Sequence, residues 1–133
     1  MVKVKDVEVP EGLHYTKDFE WVKMEGNKAR IGVTDYAQKQ LREIVYVELP
    51  SEGETITQNE PYGTVESVKA VSDLIAPISG TIDKVNTEVQ NSPETLNGDP
   101  YDKGWLLIVT PSNMAELDGI MNHQQAVEWH KTL

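Results

Sequence analysis

A chain of 133 residues, 38% hydrophobic and 26% charged, has room for one packed core but not two, and this composition excludes a chain disordered along its length. With 12 Lys and Arg against 22 Asp and Glu, the formal net charge of -10 repels polyphosphate and excludes nucleic acid as an expected partner. There is no cysteine, so disulfides, thiolate metal sites and a protein thiol nucleophile are excluded, in keeping with a reducing compartment.

The opening MVKVKDVEVPEG has neither the apolar stretch of a signal peptide nor the Arg/Ser-rich character of a transit peptide. No run approaches the roughly 18 apolar residues of a membrane span. A cytoplasmic protein with no membrane partner is expected, and a processed mitochondrial matrix form would read the same way. Phe19 to Lys23 and Ala29 to Val33 are rich in β-branched and aromatic residues and flank Met24-Glu25-Gly26-Asn27-Lys28, which predicts an antiparallel hairpin. Thr34 then stands as an N-cap, and Ala37, Leu41 and Ile44 recur at helical spacing, predicting a short helix over 35–42. A strand over Ile44 to Leu49 is closed by Pro50.

From there to about residue 110 short apolar runs alternate with Ser51-Glu52-Gly53, Asn59-Glu60-Pro61, Ser79-Gly80, Asn97-Gly98 and Lys103-Gly104, the punctuation of a β-barrel or sandwich. The most apolar run, Trp105 to Thr110, predicts a core strand ended by Pro111. Ser112 is placed to cap a C-terminal helix with Met114, Leu117 and Met121 as its apolar stripe, and a second helical stretch should include Ala126, Val127 and Trp129. The expected architecture is mostly β with short peripheral and C-terminal helices, residues 1–133 forming one domain.

One internal echo stands out. Gly63-Thr64-Val65-Glu66-Ser67-Val68-Lys69 and Gly80-Thr81-Ile82-Asp83-Lys84-Val85-Asn86 share the order Gly, Thr, β-branched, acid, any residue, Val. If the echo is structural, Asn86 takes the place of Lys69, and the fold itself does not require a lysine there. A single strand over 64–76 would exceed the usual length of roughly 3–10 residues, so the chain must bend within it. Ser67-Val68-Lys69-Ala70-Val71 holds no Gly, Pro or Asn to say where. On residue type alone Lys69 is an ordinary solvated lysine.

The stretch Glu66-Ser67-Val68-Lys69-Ala70, followed by Val71-Ser72-Asp73 and Ala76-Pro77-Ile78-Ser79-Gly80, closely resembles the lipoyl-attachment segment of the glycine cleavage system H proteins. The resemblance extends in order through Leu13-His14-Tyr15, Glu20-Trp21-Val22, Ile31-Gly32-Val33-Thr34-Asp35, Val45-Tyr46-Val47-Glu48-Leu49-Pro50, Val85-Asn86 and Gly104-Trp105. Biotinyl domains flank their lysine with Met, and lipoyl domains of 2-oxo acid dehydrogenases usually precede it with Asp, whereas this chain has Val68 and Ala70. The resemblance implies a lipoyl-domain-like barrel-sandwich hybrid fold and lipoic acid held in amide linkage on Lys69 at an exposed hairpin tip. It also implies a carrier and not an enzyme. The arm would take an aminomethyl group from the decarboxylating P protein, present it to the T protein and be reoxidised by the L protein, dihydrolipoyl dehydrogenase. A lipoate ligase or an octanoyl/lipoyl transferase would load it, and a monomer is expected.

In the family a Glu before the Trp and an Asp four residues after the modified lysine lie near the cleft that shelters the arm. They correspond to Glu20 and Asp73, carboxylates suited to a cationic amine. Three positions depart from the family pattern. Phe19 stands where His is frequent, Asp18 where a Ser occurs in relatives, and Arg42 where a Gly commonly follows the helix leucine; Arg in a left-handed cap would be strained by roughly 1 kcal/mol. His123 and His130 are seven apart, which on a helix separates them by about 10.5 Å, too far to share a metal ion. His14 reads as a structural or surface residue, and no metal site is expected. Two other readings stay open at this point: a relay that passes octanoyl or lipoyl groups to other lipoyl domains through the same lysine, and a non-lipoylated binding module of the same fold.

Overall fold

The computed structural model describes residues 2–133. An N-terminal hairpin that sequence reasoning did not foresee comes first: β1 (Val2–Val4) and β2 (Val7–Val9) pair antiparallel across Lys5 and Asp6. Both turn residues have positive φ, 52° and 67°, the hand that lets a two-residue turn follow the twist of its strands. After β3 (His14–Tyr15) the expected hairpin is present as β4 (Glu20–Glu25) and β5 (Lys28–Val33), in register from Glu20 opposite Val33 to Glu25 opposite Lys28. The first strand begins at Glu20 because Phe19 has φ 64°, which no extended strand accommodates.

Thr34 caps α1 (Asp35–Leu41) as expected, its hydroxyl accepting the Ala37 N–H at 3.2 Å. The helix stops at Arg42, where φ is 69° and ψ -142°. The positive φ is therefore kept, but the conformation is not the left-handed helical one. Asn97 straps this exit: its Nδ2 donates to the Arg42 carbonyl at 2.6 Å and its Oδ1 accepts the Ile44 N–H at 3.0 Å.

The chain continues through β6 (Ile44–Glu48), β7 (Thr55–Ile56), β8 (Pro61–Ser67), β9 (Val71–Ile75) and β10 (Gly80–Val85), then two short helices, α2 (Thr87–Asn91) and α3 (Thr95–Gly98), and β11 (Leu107–Pro111). Two sheets result: six strands in the order β3-β4-β5-β11-β10-β7 and three in the order β6-β8-β9. Ile31, Ile82 and Leu107 from the first and Val47, Val65 and Leu74 from the second share one core. This is the mostly β, lipoyl-domain-like sandwich expected, with its sheets left open. The Trp105 to Thr110 run does carry a core strand, with Leu106, Leu107 and Val109 fully buried, although pairing runs on through Pro111. A second core joins Val9, Leu13, Tyr15 and Trp21 to Ala126 of the last helix.

The echo between 63–69 and 80–86 has a structural counterpart. Gly63, inside β8, and Gly80, at the start of β10, lie in opposite sheets, and at each a Cβ would collide with the carbonyl of a neighbouring strand, that of Glu48 in one case and of Thr110 in the other. The following threonines pair with those same residues, Thr64 with Glu48 and Thr81 with Thr110. The seventh positions then diverge. Asn86 is buried and donates to the Lys103 and Trp105 carbonyls, while Lys69 is exposed.

The C-terminal reading needs correction. Ser112 caps no helix: its N–H is still bonded to the Ser79 carbonyl at the edge of the sheet, 3.0 Å away, and the helix opens one residue later. Asn113 is the cap, accepting the Ala115 N–H, and the segment that follows, Met114–Gly119, is a 3-10 helix with no buried residue. Met114 is 51% exposed, and Met121 lies beyond this helix, where its backbone bridges to Tyr15. The predicted stripe does not form. The second helical stretch is α4 (His123–His130), opened by a capping box of Asn122 and Gln125, with Ala126 buried. His123 and His130 each bond a backbone carbonyl, of Val9 and Ala126. No helix among the described residues is long and apolar enough to cross a membrane.

Candidate functional site

The bend that the sequence left unplaced lies at Val68-Lys69-Ala70. β8 and β9 pair from Pro61 opposite Ile75 to Glu66 opposite Val71. Ser67 closes the turn with its backbone N–H on the Ala70 carbonyl at 2.8 Å. Its hydroxyl oxygen accepts the N–H groups of Lys69 (3.2 Å) and Ala70 (3.1 Å). A serine hydroxyl thus does what an Asn or Asp side chain does in other turns. The Val68 N–H, bonded to the Glu43 carbonyl at 3.1 Å, ties the tip to the start of β6. Lys69 is exposed, and no ion pair among the described residues includes it.

Four of the five large hydrophobic side chains exposed among the described residues, Val45, Tyr46, Val68 and Val71, cluster at this end. Tyr46 and Val71 are both register partners of Glu66, so the three form one row across the small sheet. Asp73, paired with Thr64, follows two residues on along the same face and is exposed. Tyr62 stands beyond it, where the register of β8 shifts between Pro61 and Gly63.

Glu20 is reached from this foot of the hairpin. Only 1% exposed at the start of β4, it accepts a hydrogen bond from the Tyr62 hydroxyl at 2.7 Å. Burial pushes its carboxyl well above the usual 4.5, against the opposing hydrogen bond from Tyr62 and with a smaller push from the Asp18 charge. Phe19, in the position where the family often has His, is a packing residue. Its ring is stacked between Tyr36 (4.8 Å) and Trp129 (5.1 Å), which holds the positive-φ turn that leads into Glu20. Asp18 is bonded through its N–H to the Thr16 hydroxyl.

Of the three residues singled out from the sequence, the fold puts Lys69 and Asp73 on one hairpin and Glu20 at its far end. Six residues lie between Tyr62 and Lys69, a span on the order of 23 Å of extended chain. No hydrogen bond joins Glu20 to Asp73 among the described residues. Sequence reasoning missed Tyr62 and Ser67. A Ser ahead of two backbone N–H groups was a readable turn signal, whereas nothing near Pro61-Tyr62-Gly63 announces a partner for Glu20.

Glu20 also sets a pH dependence. The folded protein keeps a proton that the unfolded chain releases near 4.5, so this group's contribution to stability falls as pH rises from 4.5 through its higher folded value. Glu20→Gln is expected to flatten that part of the curve, read from urea midpoints between acid and neutral pH. An unchanged slope would mean that the carboxyl titrates normally.

A free amine on a pinned turn, with apolar side chains around it and carboxylates along one face, fits a covalently attached arm with an apolar end and a cationic cargo. Comparison with known proteins gives the family. The chain matches the family described as glycine cleavage H-protein over residues 13–133. It is 52% identical over 116 residues to the glycine cleavage system H protein of Geobacillus kaustophilus (strain HTA426), covering 87% of this chain and 91% of that one. With that of Bacillus subtilis (strain 168) it shares 49% over 120 residues, 90% and 94% of the two chains. The crystal structure of a glycine cleavage system H protein from Mycobacterium marinum superposes with a TM-score of 0.75 at 40% identity, covering 84% of this chain and 97% of that one.

Proposed function

The chain belongs to the glycine cleavage H-protein family, and from that premise we propose that Lys69 is its lipoyl attachment point and that the protein carries the aminomethyl group of glycine on that arm. The observation that carries this reading is the exposed lysine at a tip whose backbone is pinned by Ser67. Attachment replaces an ammonium by an amide: the Lys69 Nζ, giving up two of its three protons, would bond to the carboxyl carbon of a lipoyl adenylate made from ATP with loss of pyrophosphate, and the carboxyl–phosphate bond would break to release AMP. Lipoate, once bound, supplies the disulfide chemistry that a chain without cysteine lacks.

The chain's own residues do the rest. The hairpin presents the arm to the P protein, the T protein and the L protein in turn, after a lipoate ligase or an octanoyl/lipoyl transferase has loaded it. The exposed Val45, Tyr46, Val68 and Val71 offer these partners an apolar contact around Lys69. Asp73 and Glu20 are the carboxylates available to the cationic amine of the cargo on its way between partners, and the enclosed position of Glu20 keeps water from it. Residues 1–133 act as one carrier domain, monomeric and cytoplasmic in this proposal. The bacterial sources of its relatives and its acidic charge support that setting.

The test is the intact mass after incubation with lipoate ligase, ATP and lipoic acid, followed by peptide mapping. One lipoyl increment confined to the peptide with Lys69 supports the reading. No increment from the folded protein with a demonstrably active ligase overturns it in favour of a binding module of the same fold. Ser67→Ala is expected to slow attachment several-fold and to cost about 1–2 kcal/mol, since two tip N–H groups lose their acceptor. A modification time course and urea unfolding measure the two effects separately.

A further inference from the structure

We propose that Tyr62 is a positioning residue: its hydroxyl holds the Glu20 carboxyl at the foot of the Lys69 hairpin, where that carboxyl meets the cationic amine of the cargo. The inference rests on the carrier reading and extends it to a residue outside the attachment segment. Tyr62 is the one side chain whose hydrogen bond reaches the Glu20 carboxyl among the described residues, and it does so from the opposite sheet. Its hydroxyl crosses 42 residues of sequence to the Glu20 Oε1 at 2.7 Å, while its ring walls a cavity of about 250 Å³ with Pro50, Thr55, Thr57 and Glu60. The same strand, β8, that ends at the modified tip thus begins at the carboxylate's anchor. Burial keeps the Tyr62 phenol protonated, so the hydroxyl remains a donor.

The direction of the hydrogen bond matters. A donor stabilises the carboxylate and not the neutral acid, so Tyr62 keeps a deeply buried Glu20 within reach of ionisation. An arriving ammonium group then completes an ion pair whose geometry is already set. Asp18 on the preceding turn and Tyr62 from the facing strand are the titratable groups that bear on Glu20, and only Tyr62 favours its charge.

The first measurement uses the protein without lipoate. Carbonyl-detected NMR reads the Glu20 carboxyl directly, and Tyr62→Phe is expected to move its titration to higher pH, with Tyr46→Phe as a control that leaves it in place. The second uses lipoylated protein charged with glycine by the P protein and left without the T protein. The cargo is then lost to water as formaldehyde and ammonium, with water supplying the oxygen and the carrier sulfur left as a thiol. That loss is expected about tenfold faster in Tyr62→Phe, the size of one hydrogen bond to a charged group. Glu20→Gln should lose cargo as fast, and the double variant no faster than Glu20→Gln alone. An unmoved Glu20 titration, or additive effects in the double variant, overturns the inference. Failure of the wild type to accept lipoate would sink the carrier reading instead, so the two failures are distinguishable.

Discussion

Lys69→Arg is expected to fold as the parent does and to gain no mass with a lipoate ligase, ATP and lipoic acid. The guanidinium is protonated at every accessible pH and is no nucleophile, so the chemistry is lost outright and not merely slowed. The fold does not notice, because Lys69 is exposed and in no ion pair, and the turn is held by backbone groups and Ser67. A surface change of this kind stays within about 0.5 kcal/mol. Lys84→Arg is the matched control. Lys84 is an exposed lysine in the second copy of the echo, on the larger sheet, and its variant should be modified as fully as the parent. Retained modification of Lys69→Arg, or its transfer to another lysine, would remove the attachment site from Lys69.

Trp21→Ala should cost about 3–5 kcal/mol, a large share of the roughly 5–15 kcal/mol that holds a domain of this size together. Trp21 is fully buried in the second core, and its ring lies where a Cβ on Gly32 would sit, at 2.8 Å. Its indole N–H donates to the Pro100 carbonyl at 3.1 Å, so truncation opens a cavity and leaves that acceptor unpaired. The damage falls next to Glu20 and on the strand that sets it against Tyr62. Urea unfolding measures the loss, and Trp21→Phe, which keeps most of the volume but not the donor, should fall between the two. A cost below about 1 kcal/mol would mean that the second core carries little of the stability.

The parts of this molecule readable along the chain are those whose causes are local. The β4–β5 hairpin follows from two β-rich runs about a loop that contains Gly26, whose φ is 65°. Thr34 caps α1 because its hydroxyl needs only the N–H three residues on. Lys69 was singled out because its neighbours form an attachment motif, and a motif is a local property too. The expected Ser112 helix failed for a non-local reason: the Ser112 N–H belongs to the sheet through Ser79, and Glu116 reaches back to the same serine at 2.7 and 2.8 Å.

Glu20 marks the boundary most clearly. Its place before Trp21 was legible, but whether it would be a solvated acid or a buried one was not. That depended on the small sheet closing over it and on Tyr62, 42 residues away, arriving with a donor. By itself the sequence determined the central strands, the Thr34 cap and the family, and it singled out Lys69 as the candidate for attachment. The tertiary structure alone decided how the tip is pinned, which carboxyl is buried and which hydroxyl holds it. Strand and cap preferences are settled by neighbours a few residues apart, whereas the charge state of a carboxyl is settled by the water and donors around it, and only the packed sheets determine those.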